Sequence, residues 1–326
     1  MMKSWCFGML TALTVATSVT AGEQASSAAL VTKLKVTVLS TMLAGNPTTG
    51  IGEWGFSALV EADGHRLLVD TGARADTVLR NAAELGIDLS TVTDVVITHN
   101  HSDHTGGLIV LRRELGKQSR GALSRAHVAE GIFLSRLSPG GKEENGLLPI
   151  KAAYEELGGV FTEHPGPVQL LPGVWLTGPV PRLHPERNRS GSLRLQTPKG
   201  PVEDTVPEDA SVVVATPEGL VVISGCGHAG IINTLEYARK VVKEAPIHAA
   251  IGGFHLFAAS DEQLAWTATH LRELGLGHLL GAHCTGVEAV FRVRQLAGLT
   301  RRTAVVSAVG SSFTLGSGLD ALALAR

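Results

Sequence analysis

The strongest chemical feature of the sequence is the run His99-Asn100-His101-Ser102-Asp103-His104. Side chains two positions apart in an extended segment point to one side, so His99 and His101 can hold one metal ion. Asp103 and His104 turn toward a neighbouring point and can serve a second ion, and two such ions can share a bridging hydroxide. Clustered histidines can also form a solvated loop, but this spacing favours a metal-dependent enzyme.

Two segments in this region resemble motifs of the metallo-β-lactamase superfamily. Residues 98–107 are similar to its central motif, and Val69-Asp70-Thr71-Gly72 is similar to the short motif that precedes it. The resemblance implies that Asp70 supports the ligand loop by hydrogen bonding without binding metal. It also implies three further ligands: a histidine, an aspartate at a strand end that bridges both metals, and a final histidine.

The sequence departs from that set at the bridging position, where it reads Gly225-Cys226-Gly227-His228. A Cys226 thiolate could replace the aspartate as a soft ligand, or His228 could reach the metals instead. The alternative for Cys226 is a small buried hydrophobic residue. The resemblance assigns the final histidine to His283, whose neighbour Cys284 is expected to pack or to pair in a disulfide.

The third histidine of the resemblance is missing, because Glu208-Asp209 stands in its place. Asp209 could substitute as a ligand, one metal could lack a ligand, or both acids could lie in a solvated turn. His255 follows Gly252-Gly253 at a predicted strand end. It is interpreted as a substrate-facing or proton-shuttling catalytic residue, with a core histidine as the alternative.

A narrower resemblance covers residues 36–309. It points to the subfamily named for the dihydropterin-ribofuranosylaminobenzene phosphate synthase of methanopterin biosynthesis. This subfamily resemblance implies architecture more than substrate. Four segments carry it: residues 177–182, 224–230, 252–256 and 283–286.

Hydrophobic periodicity predicts two halves that each begin with β-strands. In the first half, an Asp63-Gly64 turn joins two strands as a hairpin. Helices alternate with the later strands, so we expect an α/β fold of four layers, an αββα sandwich. The predicted strands are 34–39, 56–61, 65–70, 94–98, 211–215, 219–224, 247–251, 278–282 and 304–309, and the predicted helices are 75–85, 108–115, 231–242, 262–274 and 287–296.

The chain is expected to have one domain behind an export signal. Lys3, an apolar stretch over 5–19 and small residues at 19–21 predict a signal peptide at 1–21, with a membrane anchor or a buried helix as alternatives. Residues 22–32 are interpreted as a linker, and 33–326 as one domain with loop insertions near 136–150 and 179–208. The protein is therefore expected to be exported, periplasmic or secreted, without a stable membrane span after signal removal.

Charge and composition indicate which class of molecule the protein binds. The formal charge of −2 and the lack of a basic stripe argue against nucleic acid. A small-molecule substrate is expected instead. Arg187, Arg189 and Arg194 lie in a Pro- and Gly-rich segment that could be a lid over an anionic substrate, or simply a solvated loop.

These features together predict a metal-dependent hydrolase in which a metal-activated water attacks an ester, lactone, amide or phosphoester. Asp103 would ligate one metal and orient the nucleophile. One or two divalent ions are expected, zinc first, with manganese, iron or magnesium as alternatives. Two other functions stay open: a transferase of the synthase type, against which the export signal argues, and a metal-binding module without turnover.

Overall fold

The computed structural model describes residues 1–2, 29–186 and 192–325. Most of the predicted export signal and linker, together with Arg187 and Arg189, lies outside the described residues. Within the described ranges, no helix is both long and apolar enough to cross a membrane.

Two large sheets form the body of the protein. The first has the strand order β18-β17-β1-β2-β3-β4-β5-β7, and the second has the order β16-β15-β14-β13-β12-β9-β8. The strands are β1 (Leu34–Ser40), β2 (Ser57–Ala62), β3 (His65–Val69), β4 (Asp94–Ile97), β5 (Arg125–Ala129), β6 (Arg136–Leu137), β7 (Val160–His164), β8 (Val168–Leu171), β9 (Val174–Leu176), β10 (Arg194–Thr197), β11 (Gly200–Glu203), β12 (Ser211–Thr216), β13 (Gly219–Ser224), β14 (Ile247–Gly252), β15 (His278–Gly281), β16 (Ala304–Val306), β17 (Ser312–Thr314) and β18 (Gly318–Asp320).

Helices cover the outer faces of both sheets. Strand residues alternate between two cores: Leu67 and Val69 face the other sheet, whereas Leu68 faces the helices outside. A second outer core lies between the second sheet and its own helices. The predicted αββα sandwich is thus confirmed. The helices are α1 (Thr77–Glu84), α2 (Ser102–Thr105), α3 (Leu108–Gln118), α4 (Leu147–Glu156), α5 (Ile231–Val241), α6 (Asp261–Glu273) and α7 (Val287–Leu296).

Parallel strand pairing determines where the chemical residues meet. In the first sheet β3, β4, β5 and β7 run parallel, and in the second β13, β14, β15 and β16 do so. The loops after β4, β13, β14 and β15 carry the histidines and the cysteine singled out in the sequence. Because the carboxyl ends of parallel strands lie at one edge of a sheet, these loops come together at the same edge of the sandwich.

The two predicted insertions differ from the expected loops, because they pair with each other. Strand β6 of the first pairs with β10 of the second, and β11 completes a three-stranded sheet. The buried Arg136 guanidinium joins the insertions by contacting Asp204 at 3.0 Å and Glu208 at 2.5 Å. Strands of two to four residues stabilised by an ion pair leave no hydrophobic periodicity to detect.

Candidate metal centre

Four loops bring the predicted ligand residues together at the carboxyl ends of the parallel strands. His99 and His101 follow β4, and Asp103 and His104 lie in the short helix α2. Among the residues that the structure describes, three groups of side chains have all their ligand atoms within 4.8 Å of one another. The groups are His99, His101 and His228; Asp103, His104, Cys226 and His283; and Cys226, His228 and His255.

The first group consists of three histidines. His99 is fully buried, and its Nε2 atom has no hydrogen-bond partner among the described residues. His228, from the loop after β13, supplies the third histidine, which is not found at Glu208-Asp209. Three converging imidazoles, two of them buried, form a donor set that suits a divalent cation.

The second group joins both halves of the chain. The Nε2 atom of His104 lies 3.1 Å from the Sγ of Cys226 and 3.8 Å from the Oδ2 of Asp103. The Nε2 atom of His283 lies 3.2 Å from the same carboxylate oxygen. Cys226 is also a member of the third group, together with His228. Its sulfur therefore lies close to ligand atoms of both the first and the second group.

Asp70 determines the orientation of two ligand imidazoles. Its Oδ2 accepts hydrogen bonds from the Thr98 hydroxyl at 2.8 Å and from the Nδ1 of His104 at 2.7 Å. Since the Thr98 hydroxyl donates its proton to Asp70, it accepts from the Nδ1 of His99 at 3.0 Å. In the neutral form of either ring Nδ1 then carries the proton, so Nε2 is the atom that would bind a metal.

Burial and neighbouring charges control the protonation of the ligands. Burial lowers the pKa of His99 well below its ordinary value and that of His101 to about 4, so both rings are neutral at pH 7. Burial would also lower the pKa of His104, but Asp70 and Asp103 outweigh it and raise that pKa to about 9. Against the effect of burial, His104 and His283 hold the pKa of Asp103 below its ordinary range.

Three residues of the centre have backbone angles that L-residues rarely adopt. The φ angles are 54° at Asp70, 51° at His255 and 46° at His283. At His283, the backbone N–H also donates to the Thr41 hydroxyl at 3.0 Å. Such conformations persist only where the surrounding structure enforces them, and they concentrate at functional sites.

Asp209, expected as a substitute ligand, is not brought into any of the three groups. Its Oδ2 accepts a hydrogen bond from the Ala229 N–H at 3.0 Å, and burial raises its pKa to about 6. The carboxylate therefore supports the loop that carries His228. Its neighbour Glu208 is buried against Arg136 and does not lie in a solvated turn.

Cys284 lies outside the ligand groups, and its thiol donates to the Cys226 carbonyl over 3.6 Å. Both cysteines are free and buried. Burial raises the pKa of the Cys226 thiol well above its ordinary value, so a bound cation must displace its proton. Gly225 has to lack a side chain, because a Cβ there would lie 2.1 Å from the Thr98 hydroxyl.

Residues at the rim of the centre were missed by the sequence interpretation. Trp54 packs on His283 with ring centroids 4.7 Å apart, and Phe257 packs on His255 at 5.2 Å. Their only sequence signals are an isolated Gly-Glu-Trp-Gly segment before β2 and the position of Phe257 two residues after His255. Neither signal separates a rim residue from an ordinary core residue.

Comparisons with known proteins show the family to which the chain is similar. A family model described as "Metallo-beta-lactamase superfamily" matches residues 55–242. The chain is 28% identical over 274 residues to the 7,8-dihydropterin-6-methyl-4-(beta-D-ribofuranosyl)-aminobenzene-5'-phosphate synthase of Methanocaldococcus jannaschii. The aligned region covers 79% of this chain and 90% of that relative.

Two solved structures are also similar. Tm1679, described as a metal-dependent hydrolase of the beta-lactamase superfamily, aligns with a TM-score of 0.67 at 26% identity over 86% of this chain and 98% of its own. Zn²⁺-bound PqqB from Methylobacterium extorquens aligns with a TM-score of 0.53 at 13% identity over 85% of this chain and 99% of its own. The second likeness concerns the fold alone.

Proposed function

The chain belongs to the metallo-β-lactamase superfamily, and on that premise we propose that it is a metal-dependent hydrolase of small molecules with an ester, lactone, amide or phosphoester bond. The convergence of seven ligand side chains into two adjacent groups carries this proposal. A divalent cation held there would supply a Lewis acid that lowers the pKa of water toward neutrality and polarises the bond to be cleaved.

The donor atoms fit one or two such cations. His99, His101 and His228 would hold the first, and the second group of four side chains would hold another. The buried Nε2 atom of His99 supports this, because it has no hydrogen-bond partner among the described residues and an isolated buried polar atom is costly. Imidazole, carboxylate and one thiolate suit zinc best, and manganese, iron or magnesium remain alternatives. The second group comprises Asp103, His104, Cys226 and His283.

Individual residues would orient and protonate the reactants. Asp103, whose pKa is lowered by His104 and His283, stays ionised at neutral pH and can accept a hydrogen bond from the attacking water. The ring of His255 lies only partly buried at the rim, where it can donate a proton to the leaving group. Asp70 keeps the ligand imidazole of His104 in place.

The test combines metal analysis with a substrate panel. Protein purified without chelator should contain one or two divalent ions per chain and should hydrolyse at least one member of a panel of aryl esters, lactones and phosphodiesters. The double variant His99→Ala/His101→Ala should lose metal and turnover, whereas His65→Ala, an exposed histidine on β3, should retain both. Full metal content in the folded double variant would contradict the assignment.

A transferase is the second candidate, because the similarity to the synthase extends over 90% of that relative. Metal-loaded protein should therefore also receive a dihydropterin bearing a pyrophosphate leaving group, with a ribofuranosylaminobenzene phosphate as acceptor. Condensation without any hydrolysis of the panel would replace the hydrolase by the transferase. Less than one equivalent of metal and no turnover in either assay would favour a metal-binding module.

We also propose that the protein is exported. The apolar stretch at 5–19 after Lys3 and the small residues at 19–21 support a cleaved leader. Sequencing of the mature N-terminus from cell fractions tests this proposal. An intact Met1 on protein from the cytoplasmic fraction would contradict it.

A further inference from the structure

Two large aromatic side chains stand half exposed at the rim of the metal centre. Trp54 is 49% exposed and Phe257 is 51% exposed, and their rings meet edge to face with centroids 5.7 Å apart. Each also touches a histidine of the centre, Trp54 the ring of His283 and Phe257 the ring of His255. A group resting on this pair would lie directly beside the ligand atoms.

The backbone holds Trp54 firmly in this position. A Cβ at Gly55 would lie 2.8 Å from the carbonyl oxygen of Asp103, so the segment packs directly on the metal loop. On the other side, the Glu53 carboxylate accepts hydrogen bonds from the backbone N–H groups of Ala73 and Arg74, at 3.0 Å and 3.1 Å. The exposure of the indole is therefore a consequence of a fixed backbone and not of a loose loop.

Phe257 is held in a similar way by the loop that carries His283. Its backbone N–H donates to the Cys284 carbonyl at 3.2 Å. Gly286 approaches so closely that a Cβ there would lie 2.7 Å from the Cα of Phe257. Both aromatic residues are thus positioned by the same segments that position metal ligands.

We propose that Trp54 and Phe257 bind a planar apolar group of the substrate, an aryl or heteroaryl ring next to the bond that is cleaved; this inference rests on the proposed hydrolase function. An exposed aromatic pair offers ring faces and edges on which a planar group stacks, and such contacts add to the burial of apolar area. Ligand sites typically combine apolar walls of this kind with a few polar groups that perform the chemistry. The pair therefore selects for aromatic over alkyl substrates.

The kinetic test compares matched substrates. For 2-naphthyl acetate and methyl acetate, the ratio of the kcat/KM values should fall at least tenfold in Trp54→Ala and in Phe257→Ala, mainly through KM of the naphthyl ester. Trp54→Phe should restore most of the preference. Phe291→Ala is the matched control, because Phe291 is a 40% exposed aromatic residue on α7. Among the described residues, its ring makes no ring contact with the histidines of the centre, so the variant should leave the ratio unchanged.

A binding measurement separates this inference from the proposed function. Calorimetry of the zinc-loaded protein with 2-naphthoate should show binding that weakens at least tenfold in Trp54→Ala and not in Phe291→Ala. If that result holds while no panel substrate is hydrolysed, the hydrolase fails and the aromatic site stands. If Trp54→Ala binds 2-naphthoate as tightly as the unaltered protein, or lowers kcat/KM for both esters equally, the inference is overturned.

Discussion

The Nε2 atom of His104 lies 3.1 Å from the Sγ of Cys226, a residue from the other half of the chain. The opposite nitrogen of the same ring is bonded to Asp70. The Nε2 atom of His104 therefore points toward the sulfur, which stands where the superfamily usually has an aspartate. A thiolate at this position should change the spectroscopic properties of the bound metal.

Cobalt substitution tests the sulfur ligand. Co²⁺-loaded protein should show an intense near-ultraviolet band from charge transfer between thiolate and metal, and Cys226→Ser should abolish that band and weaken metal binding roughly tenfold or more. Cys284→Ser provides the matched control, because Cys284 is equally buried but belongs to none of the ligand groups. Persistence of the band in Cys226→Ser would show that sulfur does not ligate.

Asp70→Asn should weaken metal binding without removing any ligand. The Oδ1 of Asp70 accepts from the Thr98 N–H, and its Oδ2 accepts from the Thr98 hydroxyl and the His104 imidazole. An amide has only one oxygen, so it turns an NH₂ group, which cannot accept, toward one of these two sides. Loss of such a supporting partner typically costs about 10–100-fold in metal affinity. Competition with a chromophoric chelator measures the metal affinity. Unchanged metal affinity in folded Asp70→Asn would contradict the supporting role of Asp70.

Arg136→Met should destabilise the fold, since it leaves Asp204 and Glu208 buried without their cation. Removing one partner from a buried ion pair costs about 3–5 kcal/mol. The control Lys142→Met breaks an exposed pair with Glu144 and should cost no more than about 1 kcal/mol. Urea unfolding of the unaltered protein and the two variants measures the free energies of unfolding. Similar losses of this free energy in both variants would contradict the prediction.

The stabilising effect of Asp94 should depend on pH. Burial would raise the pKa of Asp94, but hydrogen bonds from His127, Arg125 and Thr93 hold it below its ordinary range. The unfolded chain then binds a proton more readily than the folded one. The contribution of Asp94 is therefore fully present above about pH 4 and is lost as the pH falls through the folded pKa.

Urea unfolding of Asp94→Asn between pH 3 and pH 7 measures this dependence. The variant should be less stable than the unaltered protein at pH 7, and the difference should shrink below about pH 4. Asp76→Asn is a suitable control, because Asp76 is exposed and faces Arg80 only at 3.8 Å. A difference for Asp94→Asn that stays constant down to pH 3 would contradict the prediction.

Local signals were enough to predict the layers of the fold. The Asp63-Gly64 hairpin is present, with φ angles of 46° and 86° at the two turn residues. Strand β4 is buried along its whole length and ends beside His99, as its apolar sequence indicates. These features depend on neighbours in sequence, so periodicity and turn chemistry reveal them.

Features that depend on tertiary contacts were harder to predict. The third histidine of the first group is His228, after β13, whereas the resemblance predicts a ligand near Asp209, before β12. The two positions lie in loops at the paired ends of β12 and β13, and only the folded loops show which one reaches His99. The small sheet was missed for a similar reason, since Arg136 connects segments far apart in sequence.

The left-handed backbone angles at Asp70, His255 and His283 have a consequence for how this protein can evolve. Each such angle in a residue other than glycine costs of order 1–3 kcal/mol. Selection for stability alone would favour glycine at these positions, whereas selection for the site retains side chains there. Substitutions that make the fold more robust and substitutions that preserve the centre therefore compete at the same three residues.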